Sequence, residues 1–331
     1  MSATAQQQVH VRAPARLHLG FLDMHGGLGR RFGSMGLCLQ EIATELSATR
    51  TADITAEGAD ADRAVRYAKR IMAQIHPGAG AHISVRETIP AHAGLGSGTQ
   101  LALAVGTALC RLYGVELPAP AMARVMGRGR RSGVGIGTFT QGGFIMDAGR
   151  GGGARTPPVI SRLPVPENWR FLLLMDPVLV GISGKAEGEA FSHLSDMPRS
   201  TAGELCRLAL MRILPALVEE DCAAFGDGVS RVQQVMGEYF ASVQDGVYRS
   251  STVEEALGLL LRHGATGAGQ SSWGPTGFAI FQSETGAYKA LRQLRRRLPE
   301  EAGLELMLCR AQNSPALVRA EETAIKSARR R

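Results

Sequence analysis

From Val9 onward apolar and polar residues alternate: Val9, Val11 and Ala13, then Leu17, Leu19 and Phe21. A period of two marks strands with one buried face, and Pro14 is expected to interrupt this run. A glycine-rich loop, Gly26–Gly29 to Gly36, precedes further strand at Leu37–Leu39 and Ile42–Leu46. The period then lengthens. Over 62–76, Ala64, Ala68, Ile71 and Ile75 share one face of a predicted helix. Ile83 and Val85 mark a strand that stops at Pro90. A second helix carries Leu101, Val105, Leu109 and Leu112 on one stripe and closes at Gly114. A short basic helix is expected over 119–131, a second glycine-rich segment at Gly133–Gly143, and a strand at Phe144–Asp147.

Residues 149–168 are rich in Gly and Pro and lack periodicity, so the boundary between two domains, 9–165 and 170–325, is placed there. The second half opens with a buried strand, Phe171–Met175. Helices are expected near 201–219, 221–241 and 252–263, the last with a capping box of Thr252 and Glu255. A loop from Gly264 to Gly277 leads to strand Phe278–Phe281, a basic helix at 285–298 and a final strand from Leu304 to Arg310. The fold class is α+β.

Composition narrows the function. Of 331 residues, 44% are hydrophobic and 20% charged, an ordinary globular balance. The net charge of +7 suits anionic ligands, with phosphate esters foremost. Aromatic residues are only 5%, and no stripe of interleaved arginines and aromatics exists to stack bases, so nucleic acid is not the expected partner. The five cysteines are far apart and form no Cys-x-x-Cys pair, which disfavours a disulfide framework or zinc knuckle and favours a reducing compartment. Residues 1–8 lack an apolar core of the signal-peptide kind, and no apolar stretch reaches membrane-spanning length. A cytoplasmic protein without membrane contact is expected, with a homodimer favoured because symmetric dimers are the commonest soluble oligomers.

The most informative stretch is Pro90-Ala-His-Ala-Gly94-Leu95-Gly96-Ser97-Gly98-Thr99-Gln100. Phosphate oxygens need several N–H donors converging on one point. Glycines keep side chains out of the way, and a helix starting directly afterwards adds unpaired amides and a positive dipole end. The plain alternative is a tight strand-to-helix turn with no ligand. No Gly-Lys-Ser/Thr closes the segment, so it is not a Walker loop. Gly133-Val-Gly135-Ile-Gly137 is a weaker glycine run and is discounted.

This stretch resembles the phosphate-binding motif of the GHMP kinases. Gly264-Ala-Thr-Gly267-Ala-Gly269-Gln-Ser-Ser is similar to their C-terminal glycine motif, which approaches the same site. The resemblance covers nearly the whole chain. It implies a ribosomal-S5-like N-terminal half, a ferredoxin-like C-terminal half and an active site in the cleft between them. One position departs from the pattern. The second serine that helps typical members hold magnesium is here Gly98.

A narrower resemblance lies in Ala15-Arg16-Leu17-His18-Leu19-Gly20-Phe21-Leu22-Asp23-Met24-His25-Gly26-Gly27-Leu28-Gly29-Arg30, together with Gly96–Ala102 and Gly133–Phe144. These look like the β-ribofuranosylaminobenzene 5'-phosphate synthases. That family joins 4-aminobenzoate to phosphoribosyl pyrophosphate on the route to methanopterin, releasing pyrophosphate and carbon dioxide. The resemblance implies both substrates, a magnesium ion and no ATP. An ATP-dependent small-molecule kinase on the same fold is the alternative, and a phosphate-binding protein without catalysis is a third reading.

Candidate catalytic residues are Asp23, His25 and His18. Asp23 suits a metal or the ribose hydroxyls, with capping of the turn as the plain alternative. His18 and His25 suit orientation of the arene or protonation of a leaving oxygen. Arg16 and Arg30 offer forked donors for a carboxylate or phosphate. Gly26, Gly27, Gly94, Leu95, Gly96, Ser97, Gly98, Thr99, Gln100, Gly267 and Gly269 complete the candidate binding set. Among Arg124, Arg128, Arg130 and Arg131, one or two could take the 5'-phosphate. Trp273 could stack on the arene or serve only packing. The loop Gly181–Lys185 could close over substrate.

Overall fold

The computed structural model describes residues 5–153, 156–181, 184–244, 246–298 and 303–324. Two long strands set the frame. β1 (Ala5–Asp23) and β2 (Phe32–Thr51) pair antiparallel almost end to end. Pro14 does not break β1. It sits at a register shift between Pro14 and Arg16, where a bulge absorbs the missing N–H, and a second shift follows between His18 and Gly20. Below the bulge, Val9, Val11 and Ala13 pack with α1 (Ala61–Ile75) and α2 (Ser97–Leu112). Above it, Leu17, Leu19 and Phe21 enter a different core.

The first sheet adds β3 (Thr55–Gly58), β4 (Gly80–Glu87), β5 (Phe144–Asp147) and β6 (Val159–Leu163). The predicted helices 62–76 and 101–112 are α1 and α2. The basic segment forms only a two-turn helix, α3 (Ala119–Val125), and the glycine run 133–137 opens α4 (Val134–Gln141). A Cβ on Gly137 would stand 2.7 Å from Ile145, so glycine there serves close helix–strand packing.

The second sheet has the order β10-β7-β9-β8, from β7 (Arg170–Met175), β8 (Gly267–Gln270), β9 (Gly277–Phe281) and β10 (Glu305–Cys309). Between β7 and β8 run α5 (Gly184–His193), α6 (Arg199–Leu208), a π-helical turn (Ala209–Ile213), α7 (Leu214–Val218), α8 (Cys222–Gln244) and α9 (Ser251–Arg262). The cap of α9 is Ser250, whose hydroxyl accepts from Val253 N, not the expected Thr252. α10 (Glu284–Arg297) covers the sheet with α9.

Two features depart from the expected division at 165–170. A further strand, β11 (Leu317–Ala324), follows β10 and returns to pair with β1 in the first sheet. The central core also draws on both halves: Leu17, Leu37 and Phe144 pack with Trp169, Phe171, Phe225 and Val232. Burying residues from both sides of the boundary ties the halves together by the hydrophobic effect. Among the described residues no helix is long and apolar enough to cross a membrane.

Candidate functional site

Strand β1 carries Arg16 and His18 two residues apart, so both point off one face while Leu17 and Leu19 enter the core. Arg16 meets the glycine loop. Its backbone N–H donates to Leu95 O at 3.0 Å, and its guanidinium donates to Gly94 O. Gly94 and Gly96 have φ of +78° and +88°, conformations that L side chains rarely adopt. Gly96 ends the loop and caps α2, accepting from Thr99 N at 3.0 Å and Gln100 N at 3.1 Å. The first amides of α2 therefore stand at a helix N-terminus beside a guanidinium. Leu95, Ser97 and Gln100 are buried beneath. Gln100 Nε2 donates to Gly135 O at 2.9 Å, so its role is to dock α4 on α2.

Arg128 adds a second cation. Its Nη2 lies 2.7 Å from where a Cβ on Gly98 would stand, and it also donates to the Tyr67 hydroxyl. The glycine at position 98 thus makes room for a guanidinium on the first turn of α2. Of the basic cluster seen in the sequence, Arg128 reaches the loop. Arg131 instead lies over the Phe191 ring, 4.4 Å from its centroid.

The second half closes the loop from the other side. Ser271 Oγ donates to Gly94 O at 2.7 Å and accepts from His18 N at 3.0 Å. A Cβ on Gly94 would run into Ser271 O, and Gly181 N donates to His92 O at 3.0 Å. Residues 182 and 183 of the expected closing loop lie outside the described residues. Gly267 and Gly269 do not face the Gly94–Gly98 loop. They lie buried in β8, where a Cβ would strike Gly226 O and Gln233 Cγ of α8, respectively. The contact with the loop comes from the following turn, Ser271–Gly274.

Asp23, His25 and Arg30 lie apart from this group, beyond the end of β1. Asp23 Oδ1 accepts from Gly26 N at 2.7 Å and holds the turn. His25 Nδ1 is 3.1 Å from Met197 O, and Gly27 packs against the His25 ring. Arg30 donates through Nε to Ala148 O at 2.7 Å and through Nη2 to Gly149 O at 2.8 Å. Asp23 and Arg30 line an apolar groove of about 360 Å³ with Leu22, Leu28, Ile160 and Leu210. Among the described residues no group of three His, Cys, Asp or Glu side chains could hold a metal.

His18 is buried. Burial, and then the charge of Arg16, push its pKa well below the usual histidine range, so the ring is neutral near pH 7. Its Nδ1 accepts from Gly20 N at 3.3 Å, which leaves Nε2 carrying the proton. Asp147 went unnoticed in the sequence because one carboxylate at a strand end carries no pattern. It accepts from Ser34 Oγ, Gly133 N and Gly149 N, both amides at 2.8 Å, and pins the second glycine segment to the sheet. Burial raises its pKa even against those bonds.

Comparison with known proteins fits this geometry. Residues 62–147 match the GHMP kinase N-terminal domain and residues 213–300 the GHMP kinase C-terminal domain. Among solved structures, homoserine kinase from Cytophaga hutchinsonii superposes with a TM-score of 0.66 at 16% identity, over 96% of this chain and 99% of that one. Mevalonate diphosphate decarboxylase from Staphylococcus aureus gives 0.67 at 12% identity, over 95% and 98%. These establish the fold. The β-ribofuranosylphenol 5'-phosphate synthase of Archaeoglobus fulgidus is 35% identical over 300 residues, 87% of this chain and 91% of that protein. The enzyme of that name from Methanothermobacter thermautotrophicus is 31% identical over 298 residues, 83% and 89%. The chain belongs to the β-ribofuranosylphenol 5'-phosphate synthase family. In this member of the family two arginines, Arg16 and Arg128, flank the start of α2, and Gly98 stands under one of them.

Proposed function

We propose that this protein is a decarboxylating phosphoribosyltransferase, joining phosphoribosyl pyrophosphate to 4-aminobenzoate with release of pyrophosphate and carbon dioxide. The observation that carries this reading is the likeness to the two named synthases over more than four fifths of the chain. The helix N-terminus between Arg16 and Arg128 supports it, since departing pyrophosphate is an anion that needs fixed donors. The electron pair of the ribose C1–O bond leaves with pyrophosphate. The arene carbon that bears the carboxylate forms the new bond to C1, and the pair of its C–CO₂ bond returns to the ring. No ring proton moves, so no strong base is needed at that carbon.

Asp23 does not fit a protein-held magnesium site by itself: one of its oxygens accepts from Gly26 N, and among the described residues it belongs to no group of three His, Cys, Asp or Glu side chains able to hold a metal. Magnesium is assigned to the pyrophosphate substrate, which carries it in. The free cysteines, burial holding Cys110 and Cys222 up at about 11 as thiols, suit the reducing cytoplasm.

The test is release of labelled carbon dioxide from carboxyl-labelled 4-aminobenzoate with phosphoribosyl pyrophosphate and magnesium, without ATP. The relatives are named for the phenol product, so 4-hydroxybenzoate is run beside it. Release that requires both substrates is the expected result. No release from either acid, together with consumption of ATP on a small alcohol, would replace this reading with that of a kinase.

A further inference from the structure

Where β1, α8 and the Ser271–Gly274 turn meet, a small cavity opens directly behind the phosphate loop. Its wall is apolar on one side, with Phe21, Met236 and Phe240, and polar on the other, with His18, Gln233 and Trp273. Trp273 packs against Phe240 with ring centroids 4.5 Å apart and the planes tilted by 47°, and His18 meets Phe21 edge-on at 4.8 Å. Two residues of this wall each carry a buried donor with no hydrogen-bond partner among the described residues: His18 at Nε2 and Trp273 at Nε1. Both residues are more than nine-tenths buried. Buried polar groups left unpaired are uncommon and costly, so two lining one cavity point to a ligand.

The chemistry of that ligand follows from what remains unpaired. The glutamine oxygens around the cavity are all committed. Gln233 Oε1 accepts from Gln270 N at 2.7 Å, Gln244 Oε1 from Gln270 Nε2 at 3.3 Å, and Gln270 Oε1 from Arg249 N at 2.7 Å. The buried side-chain atoms of this lining that are left unpaired are donors. The cavity measures about 30 Å³, room for roughly two water-sized oxygens and not for a ring.

We infer that this cavity seats the carboxylate of the benzoate substrate, with the His18 and Trp273 N–H groups as its two donors and the ring at the cavity mouth. This assignment rests on the proposed reaction. Its place fits, because His18 N and Gly94 O share Ser271 Oγ, which puts the cavity one hydroxyl away from the phosphate loop. Its charge fits as well. A cation would hold the ground-state carboxylate more tightly than the dispersed charge of the decarboxylating state and would slow the loss of carbon dioxide. Neutral donors orient the group without that penalty, and His18 is held neutral by burial. Phe21, Met236 and Phe240 present an apolar wall to the departing molecule. In this assignment His18 and Trp273 are specificity-determining residues for an aromatic acid.

Calorimetric titration of the whole protein with benzoate, 4-aminobenzoate, 4-hydroxybenzoate and aniline tests this, beside steady-state kinetics. Trp273→Phe removes one N–H and keeps a ring. His18→Leu removes the other, and His18→Gln restores a donor. Trp273→Phe and His18→Leu are expected to weaken benzoate binding by about tenfold or more and to raise the KM for the arene. The KM for phosphoribosyl pyrophosphate should stay within about twofold, and His18→Gln should recover part of the loss. Aniline, lacking the carboxylate, should bind wild type and variants alike and weakly. Aniline binding as tightly as 4-aminobenzoate, or unchanged benzoate affinity in both Trp273→Phe and His18→Leu, overturns the assignment. Should carbon dioxide be released normally while both variants leave the arene KM alone, the seat is wrong and the reaction stands. Benzoates that bind, lose affinity in Trp273→Phe and yield no carbon dioxide leave the seat standing and remove the reaction.

Discussion

Two glycine-rich segments in this chain look alike as sequence and do different work. Gly94-Leu-Gly96-Ser-Gly98 stands before a helix, with two glycines at positive φ, and exposes the first amides of α2 between two guanidinium groups. Gly267-Ala-Gly269 has no residue at positive φ. It is a strand that lacks side chains so that α8 can lie directly on it. In the first segment glycine supplies the left-handed turns that lead into α2, and at Gly94 it also lets Ser271 O come close. In the second it gives one backbone access to another. What separates them is the element that follows and the surface that packs on top.

The comparison breaks most visibly at Gly94. A Cβ there meets Ser271 O from the other half and demands a φ of +78°. Gly94→Ala is expected to displace the loop by a fraction of an ångström or more and cut kcat/KM per folded molecule by on the order of 100-fold. Activity near wild type in that variant would detach the loop from catalysis. Gly267→Ala should behave in the reverse way. Its Cβ strikes the backbone of Gly226, so α8 must lift from β8, at a cost of about 1–3 kcal/mol. Thermal melting should fall by several degrees, while kcat per folded molecule stays close to wild type. A specific activity lost beyond the unfolded fraction would move Gly267 into the site.

A gentler probe sharpens the first segment. Gly98→Ser restores the residue type of the related kinases and pushes on the mobile end of Arg128, not on backbone. The melting temperature should hardly move, and the KM for phosphoribosyl pyrophosphate should rise about tenfold as one charged hydrogen bond is lost. An unchanged KM would remove Arg128 from the anion site.

The smallest effect concerns β1, which runs between the two segments. His18 is held neutral in the fold, so its folded pKa lies below the unfolded 6.5. The unfolded chain takes up a proton that the folded chain refuses. The stability this residue contributes is therefore full above pH 6.5 and declines as pH falls from 6.5 toward the folded value. Wild type should lose more melting temperature between pH 7.5 and 5.5 than His18→Gln does. Equal losses would show that His18 takes its proton while folded.

Much of the fold was legible because periodicity reports burial. The helices at α1, α2 and α8–α10 and the strands at β4, β5, β7 and β9 follow from spacing. Pro14 misled, since a bulge lets a proline sit inside a strand without leaving a ladder bond unmade. The cap of α9 was displaced by two residues because Ser250 and Thr252 are chemically alike and only backbone geometry chooses between them. β11 went unseen: Leu317–Ala324 forms the outer edge of the sheet, residues 317–321 are exposed, and its apolar residues do not alternate with polar ones.

The candidate site was legible in part. The Gly94–Thr99 loop could be read because phosphate chemistry demands small residues before a helix. Arg16 and His18 stood out as polar residues on a strand with an apolar opposite face. Asp23, His25 and Arg30 were equally conspicuous, and the structure gives Asp23 a partner in its own turn, Gly26 N, while His25 and Arg30 meet distant backbone, Met197 O for one and Ala148 O and Gly149 O for the other. Arg128 was one arginine among four. Ser271 stood inside the C-terminal glycine motif without being singled out, and Gln233 and Phe240 carried no signal in the chain, because each matters only for what it faces.

By itself, then, the sequence determined most of the secondary elements, the glycine-rich loop before α2 and the family, all of which rest on local spacing and on runs of neighbouring residues. Tertiary structure alone decided which glycines turn a loop into a helix and which lie under one, that the last strand returns to the first sheet, and that a histidine from residue 18 and a tryptophan from residue 273 line one buried cavity. The reason is physical: hydrogen-bond satisfaction and close packing are settled between residues hundreds of positions apart, and no local pattern records which partners the folded chain leaves without one.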